Sequence, residues 1–404
     1  MRRFITISAI ALVLLGLGVG AYFYFFTGST GITVAPVGSV SLPVAGQGST
    51  ATGDSDASSG YSADTGATGT PVAVSSRLVQ ISAGPVVPGE AVVDTRLATA
   101  SSTTEVEVRY IERESGNVFS YSPSTRAITR INNKTIPGIQ SASWLPDGSS
   151  AFVRYLSGDN FSTINTYALA ATSSNGFFLS QNLSDIAVSS SGILSLSSGV
   201  NGSAVSIAHT DGTHSTNLFT TPISSLRISF AGKNQYLIFS KPSAKISGVA
   251  FIADAVGNLS RIAGPLPGLV ATPSPSGKWV LVSYINGTTM IMALVNTATG
   301  STSALPVATI ADKCVWTADE SSVYCGIPVN APTAAYPDDW YQGTVSFSDR
   351  IWKIDVVGRY AQLALDFSQA NKGALDATAL AIDPANTTLV FINKNDSSLW
   401  SYSL

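Results

Sequence analysis

Six times along the chain a short apolar run enters a tight polar turn and returns as a second apolar run. SASWLPDGSSAFVRY turns at Gly148, DIAVSSSGILSLS at Gly192, LRISFAGKNQYLIFS at Gly232 and VATPSPSGKWVLVSY at Gly277; KCVWTADESSVYCGI turns near Glu320 and ALAIDPANTTLVFIN near Asn386. The first five turns lie 44, 40, 45 and 43 residues apart, and the last interval is 66. Alternating apolar and polar residues over runs this short are a strand signal, and no long amphipathic helix interrupts them. A period of about 40–45 residues carrying four short strands is that of a β-propeller blade, which buries its two apolar faces only by stacking on neighbours.

A second landmark supports the same register. NVFSYS (Asn117 to Ser122), RIWKID (Arg350 to Asp355) and SLWSYS (Ser398 to Ser403) share one apolar, aromatic, polar pattern and read as the third strand of three blades. The turns above then link first and second strands. First strands begin near Ala142, Ile186, Arg227, Val270, Val315 and Leu380, and an N-terminal unit containing VEVRYIERESGNVFSYSPSTRAITRI makes seven units. The last unit stops after its third strand, which would leave a sheet edge open. Arg77 to Ser82 is the natural donor of the missing strand. The expected fold class is all-β: a propeller of seven blades, each of four antiparallel strands, over residues 77–404.

The turn Trp144-Leu145-Pro146-Asp147-Gly148 carries the W-x-P-D-G signature of the PD40-type repeat, and on it the chain resembles the TolB-like and WD40-like propellers. Other copies are degenerate: SPSGK has Ser for Asp, and DESS replaces the turn in the cysteine-bearing blade. With the segments that precede it, the propeller also resembles membrane-anchored surface proteins of bacteria. The resemblance implies a binding platform, a scaffold, or an enzyme whose residues converge on the central channel. It speaks for fold far more than for function.

Those preceding segments set the compartment. Residues 4–26 are uncharged and apolar after Met1, Arg2 and Arg3, long enough to span a bilayer as a helix with residues 1–3 in the cytoplasm. Val19-Gly20-Ala21 also fits a signal-peptide cleavage pattern. The length of the run favours an uncleaved anchor, and either reading exports the remainder. Residues 27–76 are Gly, Ser, Thr, Ala and Asp with scattered Val and Pro, too polar to offset the entropy of ordering, and read as a disordered tether. The expected location is a single-pass cell membrane protein with the propeller outside. Charged residues make up only 12% of the chain and its net charge is −3, so no basic field points to nucleic acid.

Outside the cell, the two cysteines acquire a reading. Cys314 falls on a first strand and Cys325 on the second, and pairing them gives the antiparallel partners 315–324, 316–323 and 317–322. A disulfide is therefore expected; ten intervening residues and no second pair argue against a zinc clip or a redox motif. His209 and His214 flank an Asp-Gly turn and face one another, but without a third ligand they predict no metal, and no cofactor is expected.

The long interval places an insert at 327–349, IPVNAPTAAYPDDWYQGTVSFSD. Its Tyr336, Asp338, Asp339, Trp340 and Tyr341 are the candidate ligand-binding residues, because exposed aromatic faces beside carboxylates suit a glycan or peptide. The opposing reading is that Trp340 and Tyr341 plug the channel or cap the blade and the aspartates form turns. No G-x-S-x-G elbow, P-loop or dinucleotide fingerprint is present. The expected function is a non-catalytic binding or scaffold module for a protein or glycan partner. The alternative is an exported carbohydrate-active enzyme, a glycosidase or lyase, using carboxylates near the insert, with Glu112, Glu114, Asp338, Asp349 and Asp355 able to meet in a channel.

Overall fold

The computed structural model describes residues 72–73, 77–96, 104–173, 175–370 and 373–404. The expected anchor 4–26 and most of the expected tether lie outside these. Among the described residues no helix is long and apolar enough to cross a membrane.

Seven sheets follow one another along the chain, each antiparallel. The first blade comprises Ala91–Arg96, Thr104–Ile111, Val118–Tyr121 and Ile128–Asn132. Blades two to six begin with Ile139–Trp144, Asp185–Ser189, Leu226–Phe230, Val270–Pro273 and Cys314–Trp316. The seventh takes Ala377–Ile382, Thr388–Asn393 and Leu399–Ser403 from the C-terminal end of the chain, and its fourth strand, Leu78–Gln80, comes from the other end. There Leu78 pairs with Tyr402, Val79 with Ser401 and Gln80 with Trp400. Two readings are thereby extended. Val72–Ala73, expected in the tether, adds a fifth strand by pairing with Val79 and Gln80, and Ala91–Arg96 supplies the first strand of blade one, which no turn signal announced.

The sequence repeat is a repeat of backbone conformation. Gly148, Gly192, Gly232 and Gly277 all have positive φ, and so do Glu320 (59°) and Asn386 (58°), which hold the same place without being glycine. NVFSYS, RIWKID and SLWSYS contain the third strands Val118–Tyr121, Asp349–Asp355 and Leu399–Ser403. Middle strands are apolar on both faces because each blade is packed between two others: all six residues of Thr388–Asn393 are buried. First strands touch between blades two and three, three and four, four and five, six and seven, and seven and one; Ala311–Lys313, ahead of blade six, touches the first strand of blade five, and the Ala142 amide of blade two donates to the Pro88 carbonyl ahead of blade one, which closes the ring.

Candidate functional site

Strand alternation fixes what gathers at each end of the channel. In an antiparallel blade the links between second and third strands, and from the fourth strand to the next blade, emerge on one face. The insert 327–349 joins the second and third strands of blade six and therefore lies on that face, beside the starts of all the innermost strands. Within it Asp338–Gln342 forms a single helical turn. Pro337 precedes it, Asp338 and Asp339 occupy its positively polarised first turn, and Gly343 ends it in a left-handed conformation.

This turn is held from four blades. Asp338 Oδ2 accepts from the Ala244 amide in blade four. The Tyr336 carbonyl and Pro337 pack on Gly268, which leads into blade five. The Tyr341 hydroxyl donates to Asp312 Oδ2 at 2.6 Å, ahead of blade six. Trp340 Nε1 donates to Asp376 Oδ2 at 2.9 Å, ahead of blade seven. The insert thus lies over the channel mouth.

That geometry corrects the expectation of exposed aromatics. Trp340 is 3% exposed and Tyr336 8%, so their faces serve packing, and only Tyr341, at 40%, shows ring surface. Tyr336 donates its hydroxyl to the Pro332 carbonyl, and Asp339 Oδ2 accepts the Ala335 amide at 2.7 Å, closing the loop on itself. Trp340 stacks on Phe347, and the two rings wall the ammonium of Lys313, whose Nζ lies 4.9 and 5.0 Å from their centroids.

Beside the plug the mouth remains polar. Arg227 Nη1 donates to Asp312 Oδ2 at 2.6 Å while its guanidinium lies over Phe239. The Asp312 carboxylate, the leading cause, holds Arg227 charged beyond the ordinary arginine range. Tyr341 is exposed as a residue, but its hydroxyl is enclosed. That enclosure first, and the Asp312 charge second, push its pKa well up. Asp185 accepts the Ile186 and Ile228 amides, both at 3.0 Å; burial raises its pKa, with Arg227 opposing. Asp185, Arg227 and Lys241 line a cleft of about 540 Å³ together with Ser184, Ser198, Ser224 and Ser225.

The five carboxylates considered for catalysis do not converge. Asp349 is buried against Lys313, and Asp338 is held by Ala244. Asp355 caps a turn at the far end of the Asp349–Asp355 strand through the Gly358 amide. Glu112 accepts from Ser115 in a hairpin of blade one, and Glu114 sits in the same hairpin on the surface. The two cysteines meet as read: Cys314 and Cys325 are cross-strand partners joined by a disulfide, with their Cα atoms 4.1 Å apart. The His209 and His214 rings lie 4.7 Å apart. Among the described residues no three His, Cys, Asp or Glu side chains are grouped to hold a metal ion.

The residues that build the mouth (Asp185, Arg227, Asp312, Lys313 and Asp376) were not singled out in sequence, yet a signal was there. Each sits at or just before the first residues of an innermost strand, a position the repeat already locates. In a chain with so few charges, a charged residue recurring at that position is conspicuous.

No family model and no curated protein matches the chain. Solved structures do. Oligogalacturonate lyase from Vibrio parahaemolyticus superposes with a TM-score of 0.55 at 8% identity, covering 81% of this chain and 93% of that one. An oligogalacturonate lyase in complex with manganese gives 0.51 at 8% identity, with 79% and 96% covered. At that identity the likeness establishes the propeller fold and nothing finer.

Proposed function

We propose that the chain is a membrane-tethered, extracytoplasmic propeller that binds a glycan or a peptide segment of a protein partner at its plugged mouth and performs no chemistry there. The observation that carries this reading is the cleft beside the plug. Arg227, Lys241 and four serine hydroxyls offer donors to a polar ligand, with the exposed Tyr341 sharing Asp312 with Arg227 on the same face. General acid–base or nucleophilic work needs a carboxylate free to meet substrate. Near the insert, Asp312, Asp338, Asp339, Asp349 and Asp376 are each engaged by the protein itself. The apolar run 4–26 and the polar tether support placement at the cell surface.

The carbohydrate-active reading draws its support from the lyases that share the fold. One experiment separates the two. The purified full chain is screened on a glycan and peptide array and incubated in parallel with oligogalacturonate and manganese. Lys241 is exposed, so Lys241→Ala leaves the fold intact. The expected result is binding that weakens at least about tenfold in Lys241→Ala, the loss of one charge-assisted contact, with no chain shortening of the sugar. Binding unchanged by both Lys241→Ala and Tyr341→Ala would remove the mouth from consideration, and appearance of unsaturated oligosaccharide would establish the lyase reading instead.

A further inference from the structure

Three ionisable side chains meet in the driest part of the molecule. Lys313 ends the short turn Ala311–Lys313 ahead of blade six, Asp349 begins that blade's third strand, and Asp376 directly precedes blade seven. All three side chains have no solvent exposure. Lys313 Nζ donates to Asp349 Oδ2 at 2.8 Å and to Asp376 Oδ1. Asp376 Oδ2 accepts Trp340 Nε1 and the Phe347 amide, both at 2.9 Å. Asp349 Oδ2 also accepts the Ala377 amide at 2.7 Å, while its Oδ1 has no partner.

Two carboxylates share one ammonium where no water can screen them and repel one another, while the further cation, Lys394, lies over the Trp340 ring and acts on Asp376 through space. A proton on one carboxylate resolves this, and the contacts say which. Asp376 has donors on both oxygens. Asp349 has a bare oxygen, and burial raises its pKa to about 6 in spite of Lys313. The site therefore holds an amine, a carboxyl group polarised on one oxygen by two N–H donors, and a second carboxyl group that can take up and return a proton, all excluded from water.

We propose that Lys313 and Asp376 condense into an intramolecular isopeptide bond, with Asp349 carrying the proton. The Nζ lone pair attacks Asp376 Cγ, and the developing charge falls on Oδ2, where Trp340 Nε1–H and the Phe347 N–H already point, as donors of an oxyanion hole do. Of the three ammonium protons, one passes to Oδ1 across the existing hydrogen bond. A second reaches Oδ1 through Asp349, and the third stays on the amide. The Cγ–Oδ1 bond breaks, Oδ1 leaves as water, and Asp349 ends as it began. Ammonium and carboxylate become amide and water, with no oxidant, metal or co-reactant. Two features drive the step: fixed proximity, which replaces a bimolecular encounter, and a dry environment, which disfavours the ions and not the neutral amide. The product ties blade six to blade seven beneath the insert, across 63 positions of sequence.

The test is a peptide map of the full chain, reduced, denatured and digested with trypsin. The expected finding is a branched peptide that joins the segments carrying Lys313 and Asp376 and is one water lighter than their sum, with no cleavage after Lys313. Lys313→Arg and Asp349→Asn should both lack it and, on a reducing denaturing gel, migrate more slowly than the parent. Cleavage after Lys313 with both segments at full mass would overturn the proposal. So would a lost water that maps to Asp147-Gly148 or Asp211-Gly212, or that persists in Lys313→Arg. The wild-type map decides the matter even if a variant fails to fold. A branched peptide retained in full by Asp349→Asn would remove Asp349 as the proton carrier.

Discussion

Single residues hold the fold at positions where substitution is unforgiving. Gly277 turns blade five with φ of 77°, and a β-carbon there would stand 2.0 Å from the Ala231 carbonyl oxygen of blade four. Gly277→Ala is therefore expected to cost at least about 2 kcal/mol from left-handed strain and overpacking together, seen as a fall in Tm. Glu320 accepts the left-handed conformation at the corresponding turn because its carboxylate reaches back to the Ser276 amide and hydroxyl. Asp349 makes a pH-dependent prediction. Its folded pKa of about 6 lies above the 3.8 of a free aspartate, so the folded state holds the proton more tightly than the unfolded state does. The stabilisation this provides is present below about pH 4 and is lost as pH rises to about 6, a change of order 2–3 kcal/mol. In Asp349→Asn the loss is absent, so the Tm of the variant minus that of the parent should increase between pH 4 and pH 7. A difference that stays flat over that range would show that Asp349 is ionised throughout.

The elements show how much of the structure was legible beforehand. The turns of blades two to seven, three third strands and the cross-strand pairing of Cys314 with Cys325 could be read because a strand's period and a turn's chemistry are local. Removing both cysteines with Cys314→Ala and Cys325→Ala should lower stability by about 2–3 kcal/mol, the chain-entropy worth of a loop this short, in a two-state denaturation series. No loss would mean that the hairpin is fully held by its ladder and by Trp316, which is buried. The insert was legible only as a departure from the period. Its composition (aromatics, prolines and paired aspartates) fits an exposed recognition loop and a buried plug equally well. What buries Trp340 is the partner at its indole nitrogen, Asp376, which is 36 residues away in sequence. A contact at that separation leaves no local pattern, so the candidate site moved from the tip of the insert to the cleft at its side.

At the scale of the whole molecule, the two ends of the propeller are interdependent. Leu78–Gln80 supplies the outer strand for Leu399–Ser403, and Arg77 reinforces the seam: its carbonyl accepts the Ser403 amide, its guanidinium donates to the Ser403 carbonyl, and it lies over the Tyr402 ring. The plug then fastens blades four to seven at the mouth, which leaves the cleft beside Arg227 and Lys241 as the open part of a rigid face. The propeller and the strand that closes it were legible in sequence because the last unit is visibly one strand short. The charge pattern at the mouth was not, because the ring brings it together from strand starts spread along the chain. Amide hydrogen exchange on the full chain tests the closed and plugged ring most directly. Residues 77–82 should exchange together with 399–403, both at the slow rate of global opening, and the amides of Asp339, Tyr341 and Phe347 should be protected as well. Exchange of 77–82 at the rate of an unstructured peptide, while 399–403 remains protected, would contradict it.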